Sequence, residues 1–231
     1  MLGNAIGIIR DNWLLLLIGQ YPNGPLGGVA ATLLLSVLAI LLAFPFSVLV
    51  AMARLSHWRV LQWPATALVY GVRGVPLLMI IFWVYFMFPL LFGLSVPGSA
   101  TMLCTLVLYE GAFLSEVVRA GITALPTGQM DAARALGHSY IGMMRFVLMP
   151  QALRNAMPAL VNHTVSLFKN SSLAMAIGVV ELTHAVREVE NESFRTFEVY
   201  LVATLLYLVC SLALMTGGAV LGRRAEAMGA R

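Results

Sequence analysis

Apolar residues in this chain run in long blocks, and polar or basic residues gather between them. A helix crosses the hydrocarbon of a bilayer with about 20 predominantly apolar residues. Four blocks meet this requirement, at 29–53, 75–94, 102–118 and 199–221; the third is slightly short and carries Glu110 and Glu116. A fifth block, 158–180, is long enough but holds Lys169, Asn170, Ser171 and Ser172 near its centre. The pattern therefore predicts an all-α integral membrane chain with five transmembrane helices. Block 61–70 is too short to cross and contains Pro64, so it is predicted to be a helix lying at the interface. Residues 4–20 are predicted to form an amphipathic helix on the outer surface. Tyr21-Pro22-Asn23-Gly24-Pro25 breaks it, because proline fixes φ and glycine releases it. No repeat or low-complexity segment divides the chain, so residues 1–231 are expected to be one transmembrane domain.

Orientation follows from where Arg and Lys fall in the short loops. Loop 54–74 holds Arg54, Arg59 and Arg73 without an acid, and loop 119–157 holds Arg119, Arg134, Arg145 and Arg154 against Asp131. The end of the chain adds Arg223, Arg224 and Arg231. These regions share one side of the membrane, the cytoplasm. The opposite side has Arg10, Arg187 and Arg195 beside the acids Glu181, Glu188, Glu190, Glu192 and Glu198. The expected layout is an outer N-terminal segment 1–28, a cytoplasmic loop 119–157 and a cytoplasmic tail 222–231.

Composition agrees. Of 231 residues, 60% are hydrophobic and only 10% charged, whereas soluble domains are about a quarter charged. The net charge of +4 comes from arginines set between apolar runs, which fits membrane topology and gives no reason to expect nucleic acid. Cys104 and Cys210 both stand inside apolar runs and are read as packing residues rather than a disulfide or metal pair. No Gly-Lys-Ser/Thr phosphate loop is present, since the one lysine is Lys169, after Phe168 inside a span. This chain has no such device for binding ATP.

Loop 119–157 carries the most local information. Gly128-Gln129-Met130-Asp131-Ala132-Ala133-Arg134-Ala135-Leu136-Gly137 is followed by His138-Ser139-Tyr140-Ile141-Gly142-Met143-Met144-Arg145-Phe146-Val147-Leu148-Met149-Pro150. Alanine and leucine favour a first helix. Gly137 supplies a left-handed residue at its end, and Ser139 can cap the next helix. Pro150 is expected to end that second helix. Such a bent pair, projecting below the membrane, suits a soluble partner.

On these residues the chain resembles the permeases of binding-protein-dependent ABC importers. Their loop reads Glu-Ala-Ala, three residues, Gly, nine residues, Ile, any residue, Leu-Pro. Asp131, Ala132, Ala133, Gly137, Val147, Met149 and Pro150 keep that spacing, with Asp for Glu, Val for Ile and Met for Leu. Val72-Arg73-Gly74-Val75-Pro76-Leu77-Leu78, the run from Glu110 to Ile122, and Lys169-Asn170-Ser171-Ser172-Leu173 are similar to segments of the polar amino acid branch. Glu110-Gly111-Ala112 resembles the glutamate/aspartate type.

The resemblance implies the type I importer permease fold, with 119–157 as the coupling loop that docks on an ATPase. It implies a second permease chain, identical or paralogous, two ABC ATPase subunits that hold ATP and Mg, and an extracytoplasmic amino acid binding protein. It also implies a multi-pass location in the bacterial inner membrane, and neither catalysis nor a cofactor on this chain. Lys169 is costly at mid-bilayer and needs a partner or water. Its readings are a positive group on the solute path or an ion pair with Glu110 or Glu116. Asn170, Ser171 and Ser172 are candidates for the same path, with helix packing as the plainer role for the serines. Glu116 can pair with Arg119 three residues on, and Glu110 is a candidate for the path or for a dimer interface. Asn162 and His163 precede these on the same span, and a packed histidine is the plainer reading there. A competing class is an ion-coupled secondary carrier in which Lys169, Glu110 and Glu116 relay charge, and another is a non-transporting scaffold.

Overall fold

The structure, a computed structural model, describes residues 2–229, with side chains from 7 to 220 and at 222. The side chains of Arg223, Arg224 and Arg231, expected in the cytoplasmic tail, lie outside the described residues. Among the described residues the fold is helical: α1 Leu2–Ile18, α2 Gly28–Leu55, α3 Arg59–Arg73, α4 Leu77–Phe92, α5 Gly98–Thr123, α6 Thr127–Ala135, α7 Tyr140–Ile177, α8 Leu182–Ser193 and α9 Thr196–Gly229. Blocks 29–53, 102–118 and 199–221 fall inside α2, α5 and α9, each long and apolar enough to cross a bilayer. Two further crossings arise if α3 with α4, and α7 with α8, each count as one bent span, giving up to five. The helix predicted at 61–70 runs from Arg59 to Arg73, and Pro64 is accommodated inside it.

Pro150 corrects one expectation. It does not end the second helix of the loop, because the chain continues helically from Tyr140 to Ile177. The five residues before Met149, Met144–Leu148, form a π-helical turn in which Met149 donates its N–H to the Met144 carbonyl. In α-helical geometry the proline ring would press on the carbonyl four residues back and leave it without a donor. A π turn widens the helix by one residue and relieves both faults. The same device recurs in α4, where the π turn Trp83–Met87 precedes Phe88-Pro89.

The described chain divides into two compact units. Unit 1 comprises Met1–Leu42, Val75–Val107 and Thr164–Leu214, and unit 2 comprises Ala43–Gly74, Leu108–His163 and Met215–Arg231. In unit 1, Ile8 and Leu16 of α1 pack with Val29 of α2, Leu182, Val186 and Val189 of α8, and Val199, Val202 and Ala203 of α9. Gly28 makes the turn from α1 into α2 possible. Its φ is +58°, and a Cβ there would stand 2.3 Å from the Leu16 carbonyl oxygen. The N-terminal helix is thus seated by one face, while Trp13, Leu14 and Leu17 stay exposed.

In unit 2, Ala51, Val118, Ile122, Ala133, Met143, Met144, Leu148 and Ala152 form one core, and Val50, Val69 and Ala112 a second. With lipid as apolar as the side chains, close packing between helices depends on small residues. Gly121 meets α7 so closely that a Cβ would lie 2.8 Å from the Ala152 carbonyl oxygen, while Gly217 on α9 has nothing within 4 Å. Gly121→Val should therefore cost about 1–3 kcal/mol by overpacking and lower the thermal unfolding midpoint in detergent. Gly217→Ala should be neutral or stabilising by about 0.5–1 kcal/mol, since alanine suits a helix interior better than glycine. Equal midpoints for the two variants would contradict this reading of the α5–α7 contact.

Candidate functional site

The helix–turn–helix of unit 2 is built as the spacing of its residues requires. Gly137 has φ 80°. Its N–H donates to the Arg134 carbonyl at 2.9 Å, and the His138 N–H donates to the Ala133 carbonyl at 3.1 Å. This reciprocal pair is the Schellman closure, which needs a left-handed residue after the helix end. Nothing lies within 4 Å of a Cβ placed at Gly137, so glycine is required there by backbone conformation and not by crowding. The Ser139 hydroxyl accepts the Gly142 N–H at 3.3 Å and starts α7. Gln151 ties the two helices, donating to the Val147 carbonyl at 2.9 Å and to the Gln129 side-chain oxygen at 3.3 Å.

Burial gives this bent pair two faces. Ala133, Met143, Met144 and Leu148 are seated in the unit 2 core, while Val147 and Met149 are partly buried beside them. Asp131, Ala132 and Pro150 are exposed, and so are Leu136, Ile141 and Phe146 at 80%, 69% and 66%. Asp131 faces Arg134 at 3.8 Å across an exposed helix turn, a pair worth little by itself. The loop thus offers an anchored inner face and an apolar outer face, as a docking knob requires.

Glu116 pairs with Arg119 as its spacing predicts, and also with Arg54 of α2; Arg73 stands 4.0 Å away. The Arg54 and Arg73 guanidiniums lie over the rings of Tyr70 and Phe113, at 5.7 and 5.2 Å from their centroids. One carboxylate therefore gathers cations from the ends of α2 and α3 and from α5. Arg54 is 8% exposed, which its place among loop arginines did not reveal. Glu110 is buried, and its Oε2 lies 3.6 Å from His163 Nδ1. His163 also faces the Phe113 ring at 6.1 Å between centroids.

Unit 1 holds the remaining candidates. Ser171 is buried and donates to the Phe168 carbonyl at 2.7 Å, with the Ser36 hydroxyl 3.4 Å away. It packs helices, and Asn170 is half-buried beside it. Lys169 is exposed and, among the described residues, makes none of the ion pairs proposed for it. It lines a cleft of about 380 Å³ with Ser172, Thr183, Tyr200, Thr204 and Tyr207.

Glu181, grouped by sequence with the acids of the outer side, is fully buried. Its carboxylate accepts the His184 N–H at 3.0 Å, which makes it the N-cap of α8, and the Tyr207 hydroxyl at 3.0 Å. The Thr32 hydroxyl lies 3.4 Å from it and accepts the Leu182 N–H at 3.0 Å. These bonds hold the 53° bend between α7 and α8. Thr32 and Ser36 four apart on α2, and Tyr200, Thr204 and Tyr207 along one face of α9, were the available signals. Glu181 gave none, since glutamate is not a favoured N-cap.

The profile of the family described as "Binding-protein-dependent transport system inner membrane component" matches residues 43–227. The probable glutamine ABC transporter permease protein GlnM of Bacillus subtilis (strain 168) is 35% identical over 221 residues, which cover 96% of this chain and 98% of that protein. GlnP of the same organism, also named a probable glutamine ABC transporter permease, is 34% identical over 85% of this chain and 93% of its own length. Permeases named for arginine, L-cystine and glutamate/aspartate match at 30–32% identity. The crystal structure of an amino acid ABC transporter with histidines superposes with a TM-score of 0.82 at 27% identity, covering 95% of this chain and 97% of that one. The fold is therefore that of a type I ABC importer permease. The chain belongs to the inner membrane components of binding-protein-dependent transport systems and, among them, to the permease subunits of amino acid ABC transporters, in which ATP is hydrolysed by a separate partner.

Proposed function

We propose that this chain is the membrane path of an ATP-driven importer for polar amino acids in the bacterial inner membrane, with its N-terminus outside and its C-terminus in the cytoplasm. The observation that carries the reading is the knob around Gly137, anchored by Ala133, Met143, Met144 and Leu148 and exposing Leu136, Ile141 and Phe146. Residues 119–157 are its coupling loop, with Asp131, Ala132, Ala133, Gly137, Val147, Met149 and Pro150 setting its shape. An ATPase that grips this outer face pulls on α5 and α7 through the buried inner face. ATP binding then shifts the permease between inward-open and outward-open states, because ATP binds the two with different affinity. The complete importer has two permease chains, two ATPases that carry ATP and Mg, and an extracytoplasmic amino acid binding protein.

A glutamate/aspartate substrate is the narrower form of this reading, and Glu110-Gly111-Ala112 is its main support. Each of these residues has a packing role. Glu110 is buried near His163, Ala112 is in a core, and a Cβ on Gly111 would stand 2.4 Å from the Phe46 ring. That segment therefore favours no particular substrate side chain, and the reading stays at polar amino acids.

Reconstitution tests the function directly. Proteoliposomes holding the permease pair and ATPase should accumulate a radiolabelled L-amino acid only when ATP and the loaded binding protein are both present; uptake driven by an ion gradient without the ATPase would overturn the proposal. Gly137→Val places a β-branched residue at positive φ, a strain of about 1–2 kcal/mol or more. It should abolish co-purification of the ATPase while membrane insertion, read by fractionation, is unchanged. Retention of the ATPase by this variant would contradict the coupling role.

A further inference from the structure

Unit 2 holds a cleft of about 740 Å³, bounded on one side by residues 56–61 and on the other by residues 134–143. Its size falls within the range of small-molecule sites, roughly 300–1,000 Å³. His57, Arg134 and His138 line it together with Ser56, Trp58 and Tyr140, and no aspartate or glutamate stands in the lining. Asp131 faces Arg134 at 3.8 Å from outside the lining, across an exposed turn where such a pair is weak.

Every polar side chain in this lining can donate a hydrogen bond. Arg134 brings a planar guanidinium that is always charged, with a fork of N–H groups that fits two phosphate oxygens. Trp58 brings an indole N–H, which can only donate. The Ser56 oxygen accepts the Trp58 backbone N–H at 3.2 Å, which leaves its own proton to give. The rings of His57 and Tyr140 stand 6.2 Å apart and join the two walls. A set of donors without a carboxylate is complementary to an anion with several acceptor oxygens.

The surface beside the cleft narrows the choice of anion. Leu61 lines the cleft and also belongs, with Val60, Trp63 and Leu68, to the exposed apolar residues of α3. Trp58 is 74% exposed and Val60 82%, and Arg59 between them is exposed as well. Such a helix suits the boundary between lipid head groups and acyl chains, where tryptophan and arginine gather. The exposure of the cleft's polar groups is what a head-group site at that boundary requires.

We infer that this cleft holds the phosphate head group of an anionic phospholipid from the cytoplasmic leaflet. Arg134 takes the phosphate oxygens, with Ser56, Trp58 and the two histidine rings as further donors, and the acyl chains run along Leu61 and the apolar face of α3. Basic pockets between helices on the cytoplasmic side are suited to anionic head groups. The inference rests on the orientation proposed above, which puts residues 54–74 and 119–157 on that side. The lipid bridges α3 and the knob, and Ile141, which lines the cleft, brings it next to the face that the ATPase grips.

The test uses the complete importer, permease pair with ATPase, stripped of lipid in a neutral detergent. Phosphatidylglycerol, phosphatidylcholine and soluble glycerol 3-phosphate are titrated in turn, and bound molecules are counted by native mass spectrometry. Phosphatidylglycerol should bind the wild type about tenfold more tightly than either of the others. Arg134→Gln should weaken it about tenfold, the effect of losing a charge-assisted hydrogen bond, and Arg134→Lys should weaken it less. Arg195→Gln, which changes an exposed arginine of unit 1, should leave it unchanged. Should Arg134→Gln fail to assemble, Trp58→Ala and His138→Gln decide, each expected to weaken binding about threefold, as for a neutral hydrogen bond. Equal affinity for glycerol 3-phosphate would make this a site for soluble anions. Binding to the permease pair that is lost when the ATPase joins would make it part of the ATPase footprint. Either result overturns the lipid site, as does phosphatidylglycerol binding that no cleft variant weakens. Orientation is tested separately, with His57→Cys in a chain carrying Cys104→Ser and Cys210→Ser. That cysteine should resist a membrane-impermeant maleimide applied to the outer face, and labelling there would overturn the parent reading instead.

Discussion

Hydrocarbon offers backbone N–H and C=O groups no water to bond to, and the rest of the structure depends on that constraint. A chain that is 60% hydrophobic must satisfy its peptide groups within helices, and every irregular point must repair what it breaks. Three repairs recur. Pro89 and Pro150 each follow a π-helical turn that absorbs the missing donor. Gly137 closes α6 by returning two N–H groups to its last carbonyls. The bend after Gly178 is closed by the carboxylate of Glu181, which takes up the N–H of His184.

These repairs also divide the polar groups by task. Glu116 is surrounded by arginines and draws the ends of α2 and α3 to α5 within unit 2. Removal of that carboxylate would leave like charges facing one another without compensation. Glu181 is satisfied by hydroxyls and backbone and fixes the wall of a cleft in unit 1. Lys169 is exposed and, among the described residues, makes no ion pair, which separates it from the charges that serve packing.

Much of this was legible in the sequence. Block length located the three spans in α2, α5 and α9 because hydrocarbon thickness sets helix length, and the residues from Asp131 to Met149 located the knob because Gly137 and Ser139 act through local backbone geometry. What the sequence concealed was non-local or compensatory. Pro150 reads as a helix stop until the preceding π turn is known. Glu181 falls in sequence with Glu188, Glu190 and Glu192 as an outer-side acid, yet Thr32 and Tyr207, about 150 and 26 positions distant, meet it in a buried place. Arg54 reads as a loop cation because its partner Glu116 is supplied by another helix.

The central claim is that the apolar outer face of the knob is gripped by a separate ATPase. Single cysteines at Leu136 and Ile141, in a chain with Cys104 and Cys210 replaced by serine, can be crosslinked to the ATPase in membranes with and without ATP. The account predicts efficient crosslinks at both positions, with a yield that changes when ATP is added. Absence of crosslinks at both positions in membranes that still carry out ATP-dependent uptake would contradict it.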